Sequence, residues 1–237
     1  MSHPVDYPVS LAVEDFVPVL LTAVAAARLV RPAARTGRDG RLLALAGTVL
    51  IASGGLSKAV WKLVVALDGP DIQPLNKALF PLLSAGFLLL SLALLRFPLR
   101  TEGVSASADT SRLRWVFAGL WTAVSALSLA LGSTAPVMVL AIAAVTVCAI
   151  RLILLARAAG DTLAASAAGF WLLGMYVLGP LAARPDQSVA LQWIEQSCNT
   201  LTQAAAVLAA WRLAPVLAAE PDTSLPVPAS DDRTVTS

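Results

Sequence analysis

Seven long apolar runs alternate with short polar stretches along the chain, over residues 11–30, 42–67, 75–97, 113–131, 136–155, 163–181 and 188–213. Each is near the ~20 residues that a helix, rising ~1.5 Å per residue, needs to cross the hydrocarbon of a bilayer. Apolar and polar residues do not alternate within the runs, as the strands of a membrane barrel would require. Ala and Leu dominate instead, and both are strong helix formers. The pattern predicts an all-α integral membrane protein with seven transmembrane helices. It divides the chain into an outer N-terminal segment, 1–10, a helical domain, 11–213, and a tail, 214–237. The tail reads as disordered, because Pro, Ser and Asp stand where a packed core would need apolar residues.

Charge adds a direction to this pattern. Arg28, Arg31, Arg35, Arg38 and Arg41 follow the first run, and Arg96, Arg100, Arg112 and Arg114 follow the third. Arg151 and Arg157 follow the fifth, and Arg212 closes the seventh. Every second connection is therefore basic. Basic loops stay in the cytoplasm, so the reading is a multi-pass plasma-membrane protein with its N-terminus outside and its C-terminus inside. The Ala, Leu and Arg usage points to a bacterial source.

Composition narrows the chemistry. Of 237 residues 57% are hydrophobic and only 14% charged, against about 25% charged in a soluble domain. The net charge of +2 is accounted for by the loop arginines and implies no nucleic-acid partner. Cys148 and Cys198 both lie inside apolar runs and read as small hydrophobes, not as a disulfide framework. With His3 as the single histidine, a bis-histidine haem or a histidine-built metal site is not expected. Phosphate-loop, dinucleotide and zinc-protease patterns are absent, and Ser53 in the run ASGG lacks the G-x-S-x-G form. No catalytic residue, metal or cofactor is expected, and an enzyme is the lesser expectation.

Spaced similarities point to an internal repeat. Pro18-Val19 matches Pro136-Val137, Gly54 matches Gly169, Pro70-Asp71 matches Pro185-Asp186, and Arg96 matches Arg212, all at offsets of 115 to 118 residues. A near-constant offset is what a parallel duplication of runs one to three and five to seven would leave, with the fourth as a linker. Sugar carriers of the SWEET family are built in this way. The third run, LFPLLSAGFLLLSLALL, resembles the third helix of microbial rhodopsins. That resemblance implies a seven-helix bundle. The seventh run has Asn199 and Gln203 and no lysine to hold retinal.

The candidate site lies where polar residues enter the spans. Gln192, Glu195, Gln196, Asn199, Thr202 and Gln203 recur at steps of three and four and so share one face of the seventh helix. Ala190, Ile194 and Leu201 form the face suited to lipid. At ~1.5 Å per residue, Glu195 is ~10 Å below the outer boundary, Asn199 ~16 Å and Gln203 ~22 Å. All three lysines, Lys58, Lys62 and Lys77, fall in the outer halves of the second and third spans. Lys77 and Lys62 can snorkel to the interface. Lys58, ~13 Å deep, is too far in to do so and is the natural partner of Glu195. Glu14 and Asp15 are placed to answer Lys62 or Lys77, and Gly54-Gly55 allows a close helix approach. Trp171 and Tyr176 are candidate cavity walls, whereas Trp61 and Trp193 fit an interfacial aromatic belt.

The expectation is an outward-facing polar cavity between the second, third and seventh spans. Lys58, Lys62, Gln192, Glu195, Gln196, Asn199, Gln203, Trp171 and Tyr176 would bind a ligand or couple its movement. The leading function is a transporter or facilitator of a small, anionic or amphiphilic solute. A receptor-like sensor or an accessory subunit of a membrane complex is the alternative, and a lipid-modifying enzyme using Glu195 ranks last. The bilayer is the expected surrounding, with self-association or a membrane partner subunit both open.

Overall fold

The structure, a computed structural model, describes residues 8–99, 110–182 and 188–219. The described residues contain helices and no strands: α1 (Val9–Glu14), α2 (Phe16–Ala33), a 3-10 turn (Ala34–Thr36), α3 (Arg38–Ala66), α4 (Gln73–Lys77), α5 (Leu79–Leu95), α6 (Thr110–Ala130), α7 (Ala135–Ala158), α8 (Thr162–Ala182) and α9 (Val189–Ala218). Six helical stretches are long and apolar enough to cross a membrane: Val9–Thr36, Arg38–Ala66, Gln73–Leu95, Arg112–Ala130, Ala135–Ala158 and Val189–Ala218. Thr162–Leu178 is a shorter apolar helix. By length and composition this is a multi-pass membrane protein, with its helices where the seven apolar runs predict them. The residues 1–7, the Arg184–Asp186 connection with its Pro185-Asp186 repeat match, and most of the tail, 220–237, lie outside the described residues.

Local chemistry sets the helix ends. α7 stops at Gly160, whose φ of 72° suits a residue without a Cβ. There the amide of Asp161 donates to Ala156 and that of Gly160 to Arg157, the paired bonds that close a helix C-terminus. Asp161 then starts α8, its Oδ1 accepting from the Ala164 amide at 2.9 Å. Two prolines break helices in the same way. Pro18 and Pro81 have no N–H to give to the carbonyls four residues earlier, at Glu14 and Lys77. α1 ends at Glu14 and α4 at Lys77, so the chain bends at Asp15 and at Ala78. The first bend turns Asp15 into the bundle, where it is buried.

Six of the helices close into a ring. α2 packs on α3, α3 on α5, α5 on α7, α7 on α8, α8 on α9, and α9 back on α2. Exchanging the triplet α2–α3–α5 for α7–α8–α9 leaves this order of neighbours unchanged. α6 stands outside the ring against α7 and α5, and no residue of its most apolar stretch is buried. It is pinned by Trp121, whose Nε1 donates to the Pro81 carbonyl and to Ser84 Oγ, each at 3.2 Å. The expectation that the second and seventh spans meet is corrected here: α2 lies between α3 and α9, since first and last spans must pair for the ring to close.

Small residues make the closest crossings. A Cβ on Gly86 would stand 2.9 Å from the Gly47 carbonyl oxygen and 2.7 Å from Ile51 Cγ1, and one on Gly47 would stand 2.8 Å from the Gly86 carbonyl oxygen. α3 and α5 thus touch backbone to backbone, as glycine pairs allow in membranes. Gly54 approaches Leu79 and Leu82 of α5, and Gly55 approaches Val19 of α2, as the Gly54-Gly55 pair predicts.

Arginines gather at one end of the ring. Arg96 donates to Thr110 Oγ1 at 2.7 Å, and Arg151 donates to the carbonyls of Leu94, at 3.2 Å, and Phe97. Arg212 Nε meets Asp161 Oδ2 at 2.8 Å, and the Arg28 guanidinium lies 3.6 Å above the centre of the Trp211 ring. These contacts tie the α7–α8 turn and the ends of α2, α5 and α9 together. The Ala164 amide first, and the Arg212 guanidinium with it, hold the Asp161 carboxyl below the usual carboxylate range.

Two expectations follow. Gly86→Val drives a side chain into α3 and lowers the melting temperature, at about 1–3 kcal/mol or more for overpacking. Gly119→Ala, with nothing within 4 Å of the added Cβ, leaves it unchanged or slightly higher; thermal unfolding in detergent compares them. Because folding depresses the Asp161 carboxyl, its contribution is full above the unfolded carboxylate value and fades as pH falls through the lower folded value. Asp161→Ala therefore lowers the melting temperature at pH 7, and the difference from the unaltered protein shrinks in acid.

Candidate functional site

A cavity of about 350 Å³ opens inside the ring at the end opposite the arginines. Every ring helix supplies the half of its length remote from those arginines. α2 brings residues 15–22, α3 residues 51–62, α5 residues 79–87, α7 residues 138–146, α8 residues 172–178 and α9 residues 195–203. The volume is at the lower end of the range for small-molecule sites, roughly 300–1,000 Å³. The cavity is thus walled by six helices, not by the three the sequence suggests. Of the remaining three, α2 adds Asp15 at its start, and otherwise α2, α7 and α8 contribute apolar residues and single hydroxyls, which carry little polar signal in sequence.

Four charged side chains line it: Asp15, Lys58, Lys62 and Glu195. Lys62 Nζ meets Asp15 Oδ2 at 2.6 Å, with both side chains mostly buried. This is one of the pairings open to Asp15 from sequence, and it explains why the bend before Pro18 matters: it points the carboxylate inward. Beside it, Glu14 Oε1 accepts from Thr200 Oγ1 at 2.7 Å and joins α1 to α9 near the mouth. Lys77 is exposed and does not line the cavity. The two lysines and two carboxylates on the wall balance in charge.

Lys58 and Glu195 behave differently from the other pair. Both line the cavity, yet among the described residues neither makes a hydrogen bond or an ion pair. The expected direct contact between them is not formed. Lys58 projects from α3 and Glu195 from α9, and α2 holds those helices apart. Their charges face one space without touching.

The amides of α9 form the floor. Gln203 Nε2 donates to Asn199 Oδ1 at 3.2 Å, and Gln203 Oε1 accepts from Trp171 Nε1 at 3.2 Å. Tyr176 and Thr146 share a hydrogen bond of 2.7 Å between α8 and α7. Of the residues singled out by sequence, Lys58, Lys62, Glu195, Gln196, Asn199, Gln203 and Tyr176 reach the wall. Trp171 and Gln192 do not. Trp171 is buried behind Gln203 and packs its ring on Phe87, centroids 6.1 Å apart. Gln192 is a turn too near the helix start, and its buried Oε1 has no hydrogen-bond partner among the described residues. Trp61 donates to Asp71 Oδ1 at 2.8 Å in the loop after α3, outside the cavity. There the hydrogen bonds from Trp61 and then Gln73 hold the Asp71 carboxyl below its ordinary value. On the opposite face of α9, Ile194 and Leu201 are exposed, as the periodicity predicts.

Sequence reasoning did not single out Thr22, Thr146, Met138, Met175, Phe80 and Phe87, which also line the cavity. Thr146, the one hydroxyl in the fifth apolar run, was the available signal. The apolar members carry none, since an aromatic or methionine facing a cavity has the same spacing as one facing a core.

Beneath the floor the ring axis is filled. Phe87, Trp171, Leu90, Cys148 and Leu29 surround a void of only about 20 Å³, room for about one water and with little to bind it. Below that, Ala93, Leu94, Ala149, Ala209, Ala210 and Leu213 are buried. The cavity is open at one end and plugged by apolar packing toward the arginines. No group of three or more metal-ligating side chains occurs among the described residues.

Removing one member of the Lys62–Asp15 pair strands the other charge, which typically costs about 3–5 kcal/mol when buried. Lys62→Met or Asp15→Asn alone is expected to lower the melting temperature, and the double change to recover most of it. Lys58→Met, which breaks no pair, leaves the melting temperature unchanged or raises it. No protein-family model, curated protein or solved structure matches the chain.

Proposed function

We propose that the protein is a transporter or facilitator of a small solute, seated in the plasma membrane with the arginine end in the cytoplasm and the cavity facing outward. The observation that carries this reading is the cavity itself: charged and amide groups at its wall, an open mouth at one end, and a dry apolar plug at the other. Basic loops remain cytoplasmic, which puts the open mouth outside. Charges within a span cost about 2.5–3.5 kcal/mol on insertion scales and mark solute paths when they face a wet cavity. Lys58, Glu195 and Asn199 bind or couple, and Gln196, Gln203 and Tyr176 complete the wall.

The ring order supports a mechanism. The two triplets, α2–α3–α5 and α7–α8–α9, keep equivalent neighbours, as a parallel duplication with α6 as linker would leave them. Rocking one triplet against the other closes the mouth and parts the plug, the movement by which repeat-built carriers alternate access. Only the two seams where triplets meet, α5–α7 and α9–α2, have to slide.

Cys148 reports on the plug. It is fully buried beneath the cavity, so it reacts only when the plug opens. In Cys198→Ala protein reconstituted in liposomes, a membrane-impermeant methanethiosulfonate reagent supplied at the arginine side is expected to modify Cys148 over minutes to hours. A Cys148 that stays unreacted from that side, while it reacts in denaturant, would sink the alternating-access reading.

A second reading, an accessory subunit, is favoured by α6, which stands outside the ring with its apolar stretch unburied. Native mass spectrometry of gently extracted protein separates the two: a stoichiometric second polypeptide supports the subunit, and a monomer or homo-oligomer counts against it.

A further inference from the structure

We infer that the cavity takes a small zwitterion with an apolar body, its carboxylate on Lys58 and its ammonium on Glu195. This rests on reading the cavity as a solute site and names the class of solute. Its basis is a contrast among the charges near the cavity. Lys62 and Asp15 answer each other at 2.6 Å, and Glu14 accepts from Thr200 at 2.7 Å. Of the four charged residues on the wall, Lys58 and Glu195 are the two with no hydrogen bond or ion pair among the described residues.

A cation and an anion left open to one low-dielectric space are stabilised by an occupant that carries both complements. An anion alone would satisfy Lys58 and leave Glu195 stranded; a cation alone would do the reverse. α2 lies between α3 and α9, and the two side chains face the cavity without an ion pair between them, which leaves the space for a ligand. Asn199, one turn below Glu195 and already accepting from Gln203, retains amide donors for the carboxylate end. Much of the remaining wall is apolar, with Phe80, Leu83, Met138, Ile142 and Met175 around the space. An apolar side chain or short tail fits those surfaces, and a strongly hydrated sugar does not.

Three probes with one carbon skeleton test this: L-leucine, 4-methylpentanoate, which lacks the ammonium, and 3-methylbutylamine, which lacks the carboxylate. Binding to the full-length protein in nanodiscs is read by thermal unfolding and titration calorimetry, since a ligand that binds only the folded state raises the melting temperature. L-Leucine is expected to bind at least tenfold more tightly than either truncated probe. Glu195→Gln is expected to weaken leucine at least tenfold while sparing 4-methylpentanoate. Lys58→Met is expected to weaken leucine equally while sparing 3-methylbutylamine. Should a variant not fold, the three-probe comparison on the unaltered protein decides alone. Equal binding of leucine and 4-methylpentanoate overturns the proposal in favour of an anion site, and equal binding of leucine and the amine overturns it in favour of a cation site. Failure of leucine to bind overturns it outright. None of these outcomes depends on whether Cys148 becomes reactive, so the zwitterion and the transport reading can fail separately.

Discussion

Everything described depends on the seam between the first and last spans. α2 and α9 are farthest apart in sequence, yet they close the ring. Ala25 and Ala26 on α2 and Ala206, Ala209 and Ala210 on α9 are all buried, and small side chains let the two backbones approach. Polar contacts hold the ends: Thr200 to Glu14 at the cavity mouth and Arg28 over Trp211 at the arginine end. In lipid there is little hydrophobic drive between helices, so such close packing and hydrogen bonding must supply the association. Without this seam α9 loses its neighbour, the cavity loses a wall, and Glu195 faces lipid.

A six-membered ring leaves space on its axis unless side chains fill it. At the arginine end Leu, Phe, Trp and Ala fill it and leave a void of only about 20 Å³. At the other end lysine, carboxylate and amide side chains line it, and polar groups cannot pack against one another as densely without partners. The cavity is therefore a consequence of which residues face the axis at each depth. The prolines contribute as much as the charges. Pro18 and Pro81 interrupt the hydrogen-bond ladder at equivalent places, and the bend before Pro18 brings Asp15 inward to pair with Lys62. With Lys62 so engaged, Lys58 faces the cavity with no hydrogen bond or ion pair among the described residues.

Much of the architecture is legible in one dimension. The apolar runs locate the helices because a bilayer imposes a length and forbids unpaired backbone, whatever the neighbours. The stripe Glu195, Gln196, Asn199, Gln203 is legible because a 3.6-residue period assigns a face. Gly54-Gly55 as a close-approach site follows from the absence of side chains. Other readings went astray where a partner had to be named. Trp171 and Tyr176 look alike in sequence as aromatics of one span. They differ in what the neighbouring helix offers: Thr146 holds Tyr176 to the cavity wall, and Gln203 with Phe87 holds Trp171 behind it.

The sequence by itself located the apolar helices and the polar face of the last one, because these follow from local periodicity and from the length that a membrane requires. Only the tertiary structure decided the order of helices around the ring, and with it which charges meet. Lys58 and Glu195 lie at matching depth and carry opposite sign, so depth alone pairs them; yet α2 stands between their helices, and Lys62 reaches Asp15 instead. Depth is a one-dimensional quantity that a sequence encodes. Azimuth around the ring depends on which helices pack, and that depends on small residues and hydrogen bonds that are met only across the fold.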